Sequence, residues 1–245
     1  MWFGVVSLFP EMFQALEAGI TGFAMQEGLL TIQHWNPRDF ATDRRLSVDD
    51  SPYGGGPGMV MLAHPLQAAL EAAKKAAKKP PTVVYLSPQG KRFDQAAAMA
   101  FAAQQSVVLL AGRYEGIDQR IIEQEVDEEW SIGDYVLTGG ELAAMVMIDA
   151  ITRFIPGAVG HAHSVSQDSL ANGLLKYPQY TRPENFQGKC VPDVLLSGHH
   201  EQIATWRLKQ SLGRTWLRRP DLLAKKILTE HETALLNEFI NEFLQ

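Results

Sequence analysis

The chain has 245 residues, 46% of them hydrophobic and 20% charged, enough for one large or two small domains around a substantial core. No uncharged apolar stretch approaches the roughly 20 residues that span a bilayer, and a single cysteine, Cys190, excludes an intrachain disulfide framework and any multi-cysteine metal site, as suits a soluble cytoplasmic protein without membrane contact. The net charge of −6 is uneven: residues 1–171 hold 12 Lys or Arg against 20 Asp or Glu and residues 172–245 hold 10 against 8, so a basic module follows an acidic one.

In chain order, residues 1–10 are apolar without a basic leader or a small-residue cleavage site, and read as a first buried strand. Apolar runs then alternate with alanine-rich helical stretches at 29–35, 65–79, 83–86, 95–105, 107–111 and 117–123. Strands separated by helices need crossover connections, which predicts an α/β fold with a mostly parallel sheet covered on both faces. The acidic run Glu123, Glu125, Asp127, Glu128, Glu129 reads as a solvated face. A helix over 141–154 ends before Pro156-Gly157. The polar stretch from Gly160 to Gly173 lacks periodicity and reads as a mobile connector. The predicted parts are thus a domain over 1–159, a flexible connector over 160–172, and a small, helical, basic domain over 173–245. Within the last, residues 170–190 are irregular and 198–245 read as several short helices.

Three loops leave apolar runs: Ser87-Pro88-Gln89-Gly90, Gly112-Arg113-Tyr114-Glu115-Gly116, and Ile132-Gly133-Asp134-Tyr135-Val136-Leu137-Thr138-Gly139-Gly140. Singly, each is as well explained as a turn. Together they favour a ligand site outside the carboxyl ends of strands, with glycines giving close backbone approach and Tyr135, Val136 and Leu137 an apolar wall. The cluster Ser51-Pro52-Tyr53-Gly54-Gly55-Gly56-Pro57-Gly58-Met59 has neither the ending of a Walker loop nor the spacing of a dinucleotide loop. It reads either as a flexible loop or as a surface gripping substrate through Asp49, Gly54, Pro57 and Gly58. Between Trp206 and Arg219, five cations interleave with two indoles, a pattern for phosphate contact and base stacking by Arg207, Lys209 and Arg214, or else an amphipathic helix with solvated arginines. Glu115 and Asp118 are candidates for weak divalent-ion contact. His161 and His163 have no partner at zinc spacing and stay unassigned. No nucleophile elbow is present.

The segments Tyr85 to Gly90, Gly112 to Asp118, Ser131 to Glu141 and Ser51 to Met59 together resemble the bacterial tRNA (guanine-N(1))-methyltransferases, and the resemblance runs over essentially the whole chain. It implies a SPOUT-type sheet with a deep trefoil knot, against the usual avoidance of knots, and a homodimer with active sites at the subunit interface. It further implies S-adenosylmethionine held in the knot by Tyr85, Leu86, Ser87, Pro88, Gly112, Tyr114, Glu115, Ile132, Gly133, Asp134, Tyr135, Val136, Leu137, Thr138, Gly139 and Gly140. One departure is Ala143, where the family commonly has proline, which loosens the start of the helix that follows.

The resemblance also assigns a catalytic base to Asp168 and a functional arginine to Arg153. From local sequence alone, Asp168 reads as a helix N-cap and Arg153 as a helix C-terminal cation. Guanine N(1) must lose its proton to attack a methyl carbon, so a carboxylate fits the base and a guanidinium stabilises the charge left on the carbonyl oxygen. A carboxylate is a weak base in water, so closure over the substrate is required of the connector. The family's magnesium dependence implies Glu115 or Asp168 as oxygen ligands. The implied reaction is methylation of the guanosine immediately 3′ of the anticodon in tRNA, maintaining the reading frame. Alternatives are a SPOUT methyltransferase acting on ribosomal RNA and a non-catalytic RNA-binding protein.

Overall fold

In the computed structural model, which describes residues 1–160 and 168–244, two compact units are present, Met1–Ala162 and His163–Gln245. The apolar runs of the first unit form β1 (Trp2–Val6), β2 (Thr31–Trp35), β5 (Thr82–Arg92), β6 (Ser106–Ala111) and β7 (Glu128–Ser131). They make one sheet in the order β2-β1-β6-β5-β7, parallel at every pairing. A separate antiparallel pair joins β3 (Asp49–Asp50) to β4 (Val60–Met61).

Alternation along the strands fills two cores, as a sheet covered on both faces requires. Phe3, Val5, Val84, Leu86, Val107 and Leu109 face one side, under α1 (Gly19–Gln26), α3 (Gln95–Ala102) and α5 (Glu141–Thr152). Val6, Val83, Tyr85, Val108 and Leu110 face the other, under α2 (Ala63–Ala76) and α4 (Gln119–Glu125). The mostly parallel α/β sheet expected from the strand-helix alternation is present, and α5 begins at Glu141 although Ala143 replaces the family's proline.

Two expectations are corrected here. Ser87 to Gly90 is a register shift inside β5 rather than a loop ending the strand, for β5 pairs with β7 on both sides of it. Gly90 permits this because a Cβ there would lie 2.3 Å from the Trp130 backbone nitrogen. The acidic run is likewise not one solvated face: Glu125 pairs with Lys74 at 2.7 Å, and Glu128 and Glu129 begin β7. That strand is anchored by Trp130, whose ring stands edge-on to Phe93 and Phe101.

In the second unit, the stretch read as irregular contains a hairpin of β8 (Asn185–Phe186) and β9 (Lys189–Cys190). The expected run of short helices is α6 (Asp193–Leu196), α7 (His200–Arg218), α8 (Pro220–Leu223) and α9 (Glu230–Phe243), of which α7 is a single helix of 19 residues. Its buried residues Ser211, Leu212, Gly213 and Thr215 form one face against Leu174 and Leu235. Gly213 lets α9 approach, since a Cβ would meet the Phe239 ring at 2.3 Å. Of the predicted connector, residues 161–167, with His161 and His163, lie outside the described residues.

Candidate cofactor site

At the carboxyl ends of β6 and β7 and the register shift within β5 the chain forms a cavity of about 290 Å³. Its lining includes Tyr85, Leu86, Ser87, Pro88, Gly112, Tyr114, Glu115, Ile132, Gly133, Tyr135, Val136, Leu137, Thr138, Gly139 and Gly140. Asp134, counted with them from sequence, is exposed and does not line it. The bend at Gly133, φ 153°, turns that side chain outward while Tyr135 and Val136 form an exposed apolar lip.

The glycines act differently from the sequence expectation. Only Gly133 of the third loop has positive φ. Gly139 and Gly140 are required because chain lies on chain: a Cβ at Gly140 would come 2.7 Å from Ala111 Cα, and the Gly140 N–H donates to the Gly112 carbonyl at 2.9 Å. Gly112 in turn sits over Tyr85, whose ring would meet a Cβ at 2.9 Å. Tyr85 thus props the second loop from below, and burial, with Glu129 adding to it, pushes its hydroxyl pKa up against the Ile117 backbone hydrogen bond.

The glycine cluster joins the same rim. Glu115 N–H donates to the Met59 carbonyl at 2.9 Å and Met61 N–H to the Gly116 carbonyl at 3.0 Å. A side chain at Gly58 would strike the Glu115 carboxylate at 2.4 Å, whereas Gly54 faces open space; Pro57 is exposed beside them. Asp49 stands by the Tyr114 hydroxyl, whose pKa is raised by desolvation and then by Asp49, against the pull of Arg38. Tyr114 itself holds φ 60°, a left-handed conformation uncommon outside glycine. Asp118 does not offer a metal ligand: Arg120 occupies both its oxygens, at 2.9 and 2.7 Å. Among the described residues no three His, Cys, Asp or Glu side chains converge, so Glu115 has no cation cage around it.

The two catalytic candidates are not brought to this cavity within one unit. Arg153 caps the far end of α5, whose 12 residues place it about 18 Å from Glu141 at roughly 1.5 Å per residue. Asp168 belongs to the second unit, where its carboxylate meets Lys176 at 3.0 Å and no helix follows it. Among the predicted substrate cations, Arg207 lies over the Tyr177 ring at 4.8 Å and is exposed, and Arg214 is half-buried on α7. Lys209 is withdrawn from that role: it pairs with Glu238 and Glu242 at 2.6 and 2.8 Å. Burial opposes its charge, but the two carboxylates hold its pKa above the ordinary value.

Six lining residues were not singled out as contacts: Gln89, Arg113, Gly116, Trp130, Ser131 and Ala143. Gln89, Arg113, Gly116 and Ser131 lie inside the quoted motifs. Trp130 and Ala143 flank the third one. Proximity to the motif was the available signal.

The profile of the family described as tRNA (Guanine-1)-methyltransferase TrmD matches residues 1–225. The chain is also similar to the tRNA (guanine-N(1)-)-methyltransferases of Escherichia coli O139:H28, Escherichia coli K12 / DH10B and Shigella boydii serotype 18. Each is 59% identical over 246 residues, covering 100% of this chain and 96% of the relative.

Proposed function

This chain belongs to the tRNA (guanine-1)-methyltransferase family and methylates tRNA at guanine N(1) with S-adenosylmethionine; we propose that its target is the guanosine immediately 3′ of the anticodon. The observation that carries the cofactor site is the convergence of three glycine-bearing segments on one cavity of about 290 Å³. That is near the lower end of small-molecule pockets, roughly 300–1,000 Å³, and the resemblance implies that the ligand is bent within it. Leu86, Ile132 and Leu137 give the flat heterocycle an apolar slot, and those backbone groups of 112–115 and 138–140 that the chain's own hydrogen bonds do not use are left for its polar edges. We place the family's trefoil knot at this crossing of segments 112–116 and 137–140.

S-adenosylmethionine supplies an electrophilic methyl carbon. Asp168 would take the proton from guanine N(1), leaving that nitrogen's electron pair for the methyl carbon that bound S-adenosylmethionine would supply, with the carbon–sulfur bond the one to break. Arg153 stabilises the charge on the adjacent carbonyl oxygen. The span of α5 between Arg153 and the cavity supports a homodimer in which each site draws on both subunits. Exposed Ile20 and Phe23 on α1 and Leu142 and Val146 on α5 offer the apolar surface that such an association buries. For the magnesium that the resemblance implies, the candidate ligands are Glu115, the carboxylate among the cavity's lining residues, and Asp168. The division proposed is 1–159, a connector over 160–172 and a tRNA-binding 173–245, supported by the change of charge along the chain, and the protein works in the cytoplasm.

The test is transfer of labelled methyl groups to tRNA transcripts with guanosine or adenosine 3′ of the anticodon. Label confined to the guanosine transcript is expected. In Asp168→Asn the rate should fall by about 10² to 10⁴ with cofactor affinity kept. Equal labelling of both transcripts, or labelling of ribosomal RNA alone, would remove the assignment.

A further inference from the structure

One charged side chain beside the cavity is fully buried and takes no part in the chemistry above. Glu141, the first residue of α5, is 0% exposed. One carboxylate oxygen accepts a hydrogen bond from the buried Ser7 hydroxyl at 2.8 Å. The other lies 2.8 Å from Arg113 Nε. Both of those facing atoms are buried, the contact falls outside hydrogen-bond angles, and neither has another partner. Each charge therefore depends on the other for compensation.

Arg113 carries the contact onward. Its Nη1 donates to the Thr138 carbonyl at 3.2 Å, and its guanidinium lies over the Phe9 ring at 4.4 Å. Arg113 and Gly139 also face each other in a backbone bridge. The pair sits directly beneath Gly139, where a Cβ would meet Arg113 Nε at 2.2 Å and Glu141 Oε2 at 2.6 Å. Two walls of the cavity, 112–113 and 138–140, are thus held together by a side-chain lock whose foot is Ser7, the residue that follows β1.

We propose that Glu141 is a positioning residue for the methyl-donor pocket, acting through Arg113 to lock segment 138–140 onto segment 112–113. The inference rests on the cofactor reading of that cavity. A neutral or shortened partner leaves the fold's cores intact but lets the two walls separate, so cofactor binding suffers before chemistry does.

The experiment measures KM for S-adenosylmethionine, KM for tRNA, kcat and melting temperature for the full-length protein and for Glu141→Gln, Arg113→Lys and their double variant. Glu141→Gln keeps the bond to Ser7 and the volume, and Arg113→Lys keeps a charge should the first variant fold poorly. Expected is a rise of about tenfold in KM for the cofactor, with kcat and KM for tRNA changed less than about threefold. The double variant should be no worse than the worse single one, because the two residues act as a unit. An unchanged cofactor KM in a folded variant would overturn the proposal. So would additive effects, or tRNA KM rising in step with falling melting temperature. Failure of the unsubstituted protein to bind S-adenosylmethionine would overturn the cofactor reading, and this proposal with it.

Discussion

Asp118 shows how far one neighbour fixes the state of a side chain. Arg120 grips both carboxylate oxygens, and the Arg120 backbone N–H adds a third bond at 2.9 Å. This hydrogen bonding, opposed by slight desolvation, holds the carboxyl at about 2 instead of 3.8. The folded-state pKa is depressed, so the associated stability is present above the ordinary carboxylate value and is lost as pH falls through about 2. Its size is small, because the Arg120 side chain is 68% exposed. Arg120→Ala should return the Asp118 titration toward 3.8, read by carbon NMR of the carboxyl; no upward movement would mean that the loop backbone, not Arg120, sets it. Nothing in the sequence marks this pairing, and Asp118 there stood beside Glu115 as a candidate cation contact. The two residues are only three apart, yet one faces the glycine cluster and the other caps α4.

Among elements, β1, β6 and the first half of β5 were legible because buried parallel strands are written as unbroken apolar runs. β7 was not. Its first two residues are acidic, and only Trp130 and Ser131 betray a strand. α7 was legible as helical but not as one helix of 19 residues: its exposed face is crowded with arginines, and its buried face uses Ser211, Gly213 and Thr215 beside a single leucine. The glycines at 139 and 140 were recognised as special, but for ligand approach, whereas the close partner is the chain itself. Gly140→Ala tests which is right. Its φ of −79° poses no conformational obstacle, so the cost, about 1–3 kcal/mol by overpacking against Ala111, should appear in urea unfolding of the ligand-free protein. A loss confined to the cofactor-bound form would favour direct ligand contact instead.

At the level of the whole molecule, the division of charge was visible in composition, while the roles of individual cations were not. Lys209 satisfies two glutamates within the second unit, whereas Arg207 rests on Tyr177 with its charge open to solvent. Affinity for tRNA should therefore fall linearly on a log–log plot of salt, and Arg207→Ala should reduce the slope by about 1 while Lys209→Met leaves it unaltered. Equal slopes for the two variants would place the phosphate contact elsewhere. The resemblance supplied Asp168 and Arg153, which no periodicity marks and which stand on different units. The packing of Gly112 on Tyr85 and of Gly140 on Ala111 has one further consequence. A compound that fills the cavity rests against a wall whose shape is fixed by the protein's own backbone, so a resistant variant cannot remodel that wall with a larger side chain without first loosening its own fold. Escape by single substitutions is left to the exposed lip at Tyr135 and Val136, where a side chain has room.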